Sequence, residues 1–215
     1  TMWNKDLSKV QVEGGTKDEK TIFYTGMYHL LIHPNILQDV NGEYPMMESL
    51  KVGHTTGNRY TVFSLWDTYR NVSTLMTLLY PERQLDIIRT MLDMYRENGW
   101  LPKWELYGRE TFTMEGDPSI PYIVDAWMRG LRDFDEQTAY EAMRKGATTP
   151  GEFNLLRPDA NDYFSKGYVP LREQYDNSVS HALEYYIADF ALFRFADAFC
   201  LLYTSPSPRD RQKSR

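Results

Sequence analysis

The run from Pro81 to Asn98 constrains the fold more than any other part of this chain. A proline opens it, Leu85, Ile88, Leu92 and Tyr95 recur at the spacing of one helical face, and Asn98-Gly99 closes it. A helix of that length with one apolar stripe needs another apolar surface to cover it, which points to helix-on-helix packing. The same punctuation recurs elsewhere. Spacing predicts a helix from about Lys17 to His33, with Phe23, Met27, Leu30 and Leu31 on one face and Pro34 as the stop. Others are predicted over 69–79, from Asp117-Pro118 to about Leu131, from Asp135 to Lys145-Gly146, and from Ser178 or Ser180 to about Phe199. Residues 4–12 alternate polar and apolar and read as a strand or extended entry segment. Residues 35–62 read as a long loop with short extended pieces and a hairpin near Gly42 and Gly57, and Gly151 to Pro170 as loop. The expectation is a mainly α chain of about three helical hairpins, joined by short outer turns and long inner loops. Such hairpins build an open half-toroid, with the long loops at one end forming a site.

The run Phe63-Ser64-Leu65-Trp66-Asp67-Thr68-Tyr69-Arg70 carries the chemistry best suited to such a site. Asp67 or Thr68 is the expected N-cap of the following helix, which would hold Trp66 and Asp67 at its mouth. An indole face covers the C–H side of a pyranose, and a carboxylate accepts paired hydrogen bonds from neighbouring hydroxyls. The competing reading is a capped helix with a core tryptophan. Aromatic residues make up 14% of the chain, including 16 Tyr, a load that fits a polar, stacking ligand surface.

A net charge of −6 argues against a phosphate-tracking surface, so no nucleic-acid partner is expected. Cys200 is the single cysteine, which rules out an intrachain disulfide and a cysteine-based zinc cluster. No stretch has the length and apolarity of a membrane span, and no signal peptide opens the chain. Thr1 is not an initiator residue, so the chain is expected to begin inside a longer reading frame. His29 and His33 share a helix face at a metal-gripping spacing, but no glutamate lies between them and no third ligand is evident. Glu105 with Glu110, and Asp133 with Asp135, lie too close in sequence to face each other across a sugar. They read as solvated or capping residues.

Leu201 to Arg215 is basic and rich in Ser and Pro, unlike the rest. One reading is a disordered arm binding nucleic acid or a partner. The preferred one is a non-native tail, because the string resembles translated sequencing-adapter read-through. That leaves 1–200 as the folded domain.

Several stretches together resemble glycoside hydrolase family 92, the calcium-dependent exo-α-mannosidases. They are Trp3-Asn4-Lys5, Phe23-Tyr24-Thr25-Gly26-Met27-Tyr28-His29, Phe63 to Arg70, Gly99 to Gly108, Met114 to Pro118, and Ser178-Val179-Ser180 with Leu183-Glu184-Tyr185. They follow the family's order across nearly all of residues 1–200. The resemblance implies a catalytic domain with a six-hairpin α/α barrel, about half of it present here. It implies hydrolysis of terminal α-mannosides with inversion, calcium in the full-length enzyme, mannose-containing glycans as substrates, and a periplasmic or extracellular parent protein. The acid, the base and most calcium contacts are expected further along the parent chain, so neither catalytic nor metal residues are assigned here. The remainder of the catalytic domain is then a required partner. Trp66 and Asp67 are the first candidates for mannose contacts. Trp104 and Glu105, on a proline-stiffened loop, come next. Arg70 is expected to orient Asp67 or Glu105, or else to form a helix-surface ion pair. Asp117 is a further candidate, with helix capping as its competing role. Two alternatives stay open: another six-hairpin glycosidase of trehalase or glucoamylase type, and a non-catalytic helical glycan-binding protein.

Overall fold

The computed structural model describes residues 2–171 and 177–204, with side chains up to Phe199. Nine α-helices are present among the described residues, with three two-stranded ladders in the loops between them. The mainly α expectation holds.

Helix α1 spans Met2–Leu7, where an extended segment was expected. Alternation over so few residues is overridden by packing: Trp3 lies against Tyr28 with ring centroids 4.6 Å apart, and Asp6 accepts from Arg83 at 2.6 Å. Helix α2, Lys17–Leu30, opens with a capping box in which Thr16 and Glu19 satisfy each other's backbone N–H. Of its predicted face, Met27 is buried and Phe23 is exposed.

The loop after α2 contains four short strands, β1 Asn35–Ile36, β2 Glu43–Pro45, β3 Val52–His54 and β4 Tyr60–Thr61. β2 and β3 form the expected hairpin, while β1 pairs antiparallel with β4. Arg59 ties this loop down. Its guanidinium donates to both oxygens of Glu97 at 3.1 and 2.8 Å, and Glu97 also accepts from the Tyr44 hydroxyl and the Met47 N–H.

The helix predicted over 69–79 forms as α4, Val72–Leu79, and a separate single turn, α3, Leu65–Thr68, precedes it. α5 spans Pro81–Asn98 as predicted, ending on Gly99, whose φ of 85° is the left-handed conformation glycine adopts without strain. Its buried face is rotated from the predicted stripe: Ile88 and Leu92 are buried with Ile87, Met91 and Met94, while Leu85 and Tyr95 sit at the edge. A minimal hairpin, β5 Glu105–Leu106 and β6 Arg109–Glu110, interrupts the connection to α6, Ser119–Met128. Asp135 caps α7, Glu136–Thr148, by accepting from the Thr138 N–H at 3.0 Å. The expected 151–170 loop contains a 3-10 turn at Gly151–Phe153 and helix α8, Ala160–Lys166. Helix α9 spans Ser178–Thr204, so the first residues expected in the tail continue the helix; residues 205–215 lie outside the described residues.

Helix α6 is the centre of the core. Ile120, Ile123, Ala126 and Trp127 are fully buried, and the helix packs against α4, α5, α7 and α9. Trp127 packs against Phe195 of α9 with ring centroids 4.7 Å apart and planes tilted by 57°. Burying each large apolar side chain here contributes about 1.5–3 kcal/mol. α9 is apolar on more than one side. Ala182, Tyr185, Ala188 and Phe195 face inward, whereas Val179, Leu183, Phe190 and Phe193 are exposed. No helix among the described residues is long and apolar enough to cross a membrane.

Candidate functional site

α3 is a single turn, too short to be stable on its own, so its neighbours fix it. Phe63 and Leu65 are buried, and the Phe63 N–H donates to the Glu105 carbonyl at 3.0 Å. Those anchors start the helix earlier than Asp67 or Thr68. Ser64 takes the cap position, without a side-chain cap bond, and the expected cap does not form. Asp67 is left exposed in the first turn beside a half-buried Trp66.

Arg70 reaches from the end of α3 to α9. Its guanidinium pairs with one oxygen of Glu184, and the other oxygen accepts from the Tyr69 hydroxyl at 2.9 Å. The Arg70 guanidinium carbon lies 4.8 Å from the Tyr69 ring centroid and 5.9 Å from that of Trp66. Burial, reinforced by Glu184, pushes the Tyr69 hydroxyl up to about 12. Arg70 therefore pairs with a glutamate that the sequence reading did not assign, rather than with Asp67 or Glu105. Gly116 permits the approach of α9: its φ is +73°, and a Cβ there would lie 2.4 Å from the Glu184 Cβ.

One turn earlier on α9, His181 Nε2 lies 2.9 Å from Glu115 Oε2. The contact lacks hydrogen-bond geometry, so Glu115 Oε2 and His181 Nδ1 are both buried without a hydrogen-bond partner among the described residues. Burial pulls the imidazole below its ordinary value despite the opposing pull of Glu115. Lys103, also buried, reaches the Leu156 carbonyl at 3.4 Å. Burial lowers its ammonium pKa against the attraction of Asp117, Glu115 and Glu110. Lys103, Glu115 and His181 line a cavity of about 920 Å³ whose other walls include Phe112, Met114 and Val169.

Asp117 sits deeper, 2% exposed. It does not cap α6, whose cap position is Pro118; its Oδ2 lies 3.4 Å from Arg157 Nε instead. Arg157 is itself fully buried, donates to Asp189 at 2.7 Å and lies 5.0 Å from the Tyr185 ring. Burial pushes the Asp117 carboxyl up against the attraction of Arg157 and Lys103. Glu105 is equally internal. Both its oxygens are engaged, by the Thr61 hydroxyl and by the N–H groups of Val62 and Gly108. Glu105 and Asp117 are both buried, but differently: Glu105 is enclosed by donors, whereas both Asp117 oxygens lack a hydrogen-bond partner among the described residues and face the Arg157 cation. Glu110 is not a solvated residue either, since it accepts from the N–H groups of Lys103, Trp104 and Phe112. Trp104 remains half-buried on this stapled loop.

Among the described residues no group of three or more His, Cys, Asp and Glu side chains is placed to hold a metal ion.

Residues 1–201 match the sequence profile described as the glycosyl hydrolase family 92 catalytic domain. The chain belongs to glycoside hydrolase family 92. Two solved family 92 enzymes of Bacteroides thetaiotaomicron share its fold at a TM-score of 0.83. The α-mannosidase BT3965 is 34% identical over 92% of this chain and 26% of its own. The inverting mannosidase BT2199 is 32% identical over 92% of this chain and 27% of its own. A curated relative from Arthroderma benhamiae, described as an uncharacterized secreted glycosidase, is 26% identical over 88% of this chain and 22% of its own. The chain spans about a quarter of the length of these relatives. Its helices are similar to part of the α/α barrel of the family 92 proteins.

Proposed function

We propose that this chain is part of the catalytic barrel of an inverting exo-α-mannosidase and supplies one wall of its sugar pocket. Trp66 stacks on the terminal mannose, Asp67 accepts from its hydroxyls, and Arg70, fixed by Glu184, stiffens that wall. Trp104 adds a second aromatic surface, while Glu105 and Asp117 act from below as supports. The observation that carries this is the placement of Asp67. It is an exposed carboxylate beside an indole and a clamped guanidinium.

Inverting hydrolysis needs one carboxylic acid at the leaving oxygen and a carboxylate opposite it to activate water, about 6.5–9.5 Å apart. Of the other carboxylates gathered around this site, four are buried or face a cation. Glu184 is held by Arg70 and Tyr69, Glu115 faces His181, Asp117 faces Arg157, and Glu105 is enclosed. The proton-transfer pair and the calcium ligands are assigned to the remainder of the catalytic domain. The exposed Val179, Leu183, Phe190 and Phe193 face of α9 supports that assignment, since a contiguous apolar surface of this kind marks an interaction face. The description of the Arthroderma relative as secreted supports a parent that acts outside the cytoplasm.

The test is a hydrolysis assay of this chain on aryl α-mannosides and α-linked mannobiose, with and without calcium. No turnover is expected. Calcium-dependent release of mannose would refute the assignment of the proton-transfer pair to other parts of the protein.

A further inference from the structure

Five non-glycine residues among the described residues have a left-handed φ: Glu48, Val62 and Tyr107, with Phe112 and Met114 on the rim loop of the cavity. Val62, at φ 66°, is the β-branched member, the type for which this conformation is a true outlier. Strain of this kind persists only where the surroundings enforce it, and it concentrates at functional sites. Val62 joins strand β4, which ends at Thr61, to the turn α3, which carries Trp66 and Asp67. Glu105 supplies the enforcement. Its carboxylate accepts from the Val62 N–H at 3.1 Å and from the Thr61 hydroxyl at 2.9 Å, and its carbonyl accepts from the Phe63 N–H at 3.0 Å. The strained residue is therefore tied down on both sides by one buried glutamate. The far side of the brace is strained as well. Tyr107, at φ 51°, donates its N–H to the Thr61 hydroxyl oxygen at 2.8 Å, and Glu48, at φ 49°, donates to the Gly108 carbonyl at 2.8 Å.

Beyond Val62, little else sets the direction of Trp66. α3 is a single turn, and Ser64 at its cap position makes no side-chain cap bond. The Trp66 indole N–H is buried without a hydrogen-bond partner among the described residues. A turn this short does not hold itself. Phe63 and Leu65 keep it against the core, but both follow Val62, so their placement depends on the same φ. If Val62 relaxed to a φ of about −60° or below, where valine is unstrained, the chain after it would swing by roughly 125° or more. The direction in which Trp66 and Asp67 leave the core is thus decided at the entry to the turn.

We infer that Val62 is a positioning residue: its left-handed backbone, held by Glu105 and Thr61, aims the α3 turn so that Trp66 and Asp67 face a ligand together. What that aim serves rests on the proposed mannoside site; the aim itself does not.

The experiment compares V62G and V62N with the parent in the whole chain, each variant verified as folded by circular dichroism. It reads the Trp66 indole N–H by NMR, assigned through W66F, and follows a titration with methyl α-mannoside. Glycine enters left- and right-handed regions alike, whereas asparagine keeps a Cβ and tolerates the left-handed one. The parent is expected to show one sharp Trp66 signal. V62G is expected to broaden or split it and to bind methyl α-mannoside about tenfold more weakly, and V62N to restore both. A packing role for the isopropyl group would make V62G and V62N alike, since both lose it, and that result overturns the inference. A V62G signal that stays single at the parent position overturns it too, whatever V62N does. If the indole signals behave as expected while methyl α-mannoside moves none of them, the aim of α3 stands and the terminal-site reading fails.

Discussion

Replacing Glu105 with Gln separates the two roles open to this residue, sugar contact and loop support. The substitution keeps the shape but exchanges one carboxylate oxygen for an NH₂ group. In the fold, one oxygen accepts from the Thr61 hydroxyl at 2.9 Å and from the Gly108 N–H, and the other from the Val62 N–H at 3.1 Å. Whichever way the amide turns, its NH₂ faces a backbone N–H, and one buried donor loses its acceptor. That costs about 1–3 kcal/mol. Relief from burying a charge offsets part of it, since Glu105 is fully buried and its carboxyl is pushed up by desolvation. The expected net loss of about 1–2 kcal/mol corresponds to amide exchange roughly 5- to 30-fold faster at Val62 and Gly108, if these amides exchange through local opening. Hydrogen exchange read by NMR at those two amides is the assay, with Ile88 and Ile123 as core references. A Gln variant whose Val62 and Gly108 protection matches the parent, but which loses affinity for methyl α-mannoside, would refute the support role and restore Glu105 to the sugar site.

Two further outcomes follow from the α9 contacts. Gly116→Ala combines a left-handed φ of +73° with a Cβ 2.4 Å from that of Glu184, so strain of about 1 kcal/mol and overpacking of about 1–3 kcal/mol should lower stability together; a urea midpoint equal to the parent's would count against it. For His181 the folded-state pKa is pulled below the unfolded value near 6.5 by burial. Between those two values the unfolded chain binds a proton that the folded chain does not. Stability is therefore expected to fall as pH drops from about 6.5 towards the folded-state pKa and to level off below it. Thermal midpoints measured from pH 8 to pH 5 should show this loss in the parent and a flatter profile in His181→Gln; identical slopes would exclude His181 as its source.

The parts of the fold legible in the sequence are those that local chemistry decides. Pro81 and Gly99 bound α5 because each acts through its own backbone, and Asp135 caps α7 because its partner, Thr138, is three residues away. Asp67 and Asp117 carry the same local signal, an acidic residue ahead of a helix, and neither caps. Phe63 and Leu65 start α3 earlier, and Arg157, far along the chain, draws Asp117 inward. The site follows the same division. Trp66, Asp67 and Arg70 are contiguous, so the sequence presents them together, although the clamp on Arg70 comes from Glu184. Glu115 and His181 meet only because Gly116 lets α9 approach the rim loop, and no spacing rule could pair them. Carboxylate type alone therefore misleads in these loops. Glu105 and Glu110 stand beside tryptophan and lysine in a sequence that looks catalytic, yet their oxygens hold backbone N–H groups of the loop, and Asp117 is buried against Arg157. Burial and bonding, which the sequence does not display, separate those carboxylates from Asp67, which stays exposed at the surface.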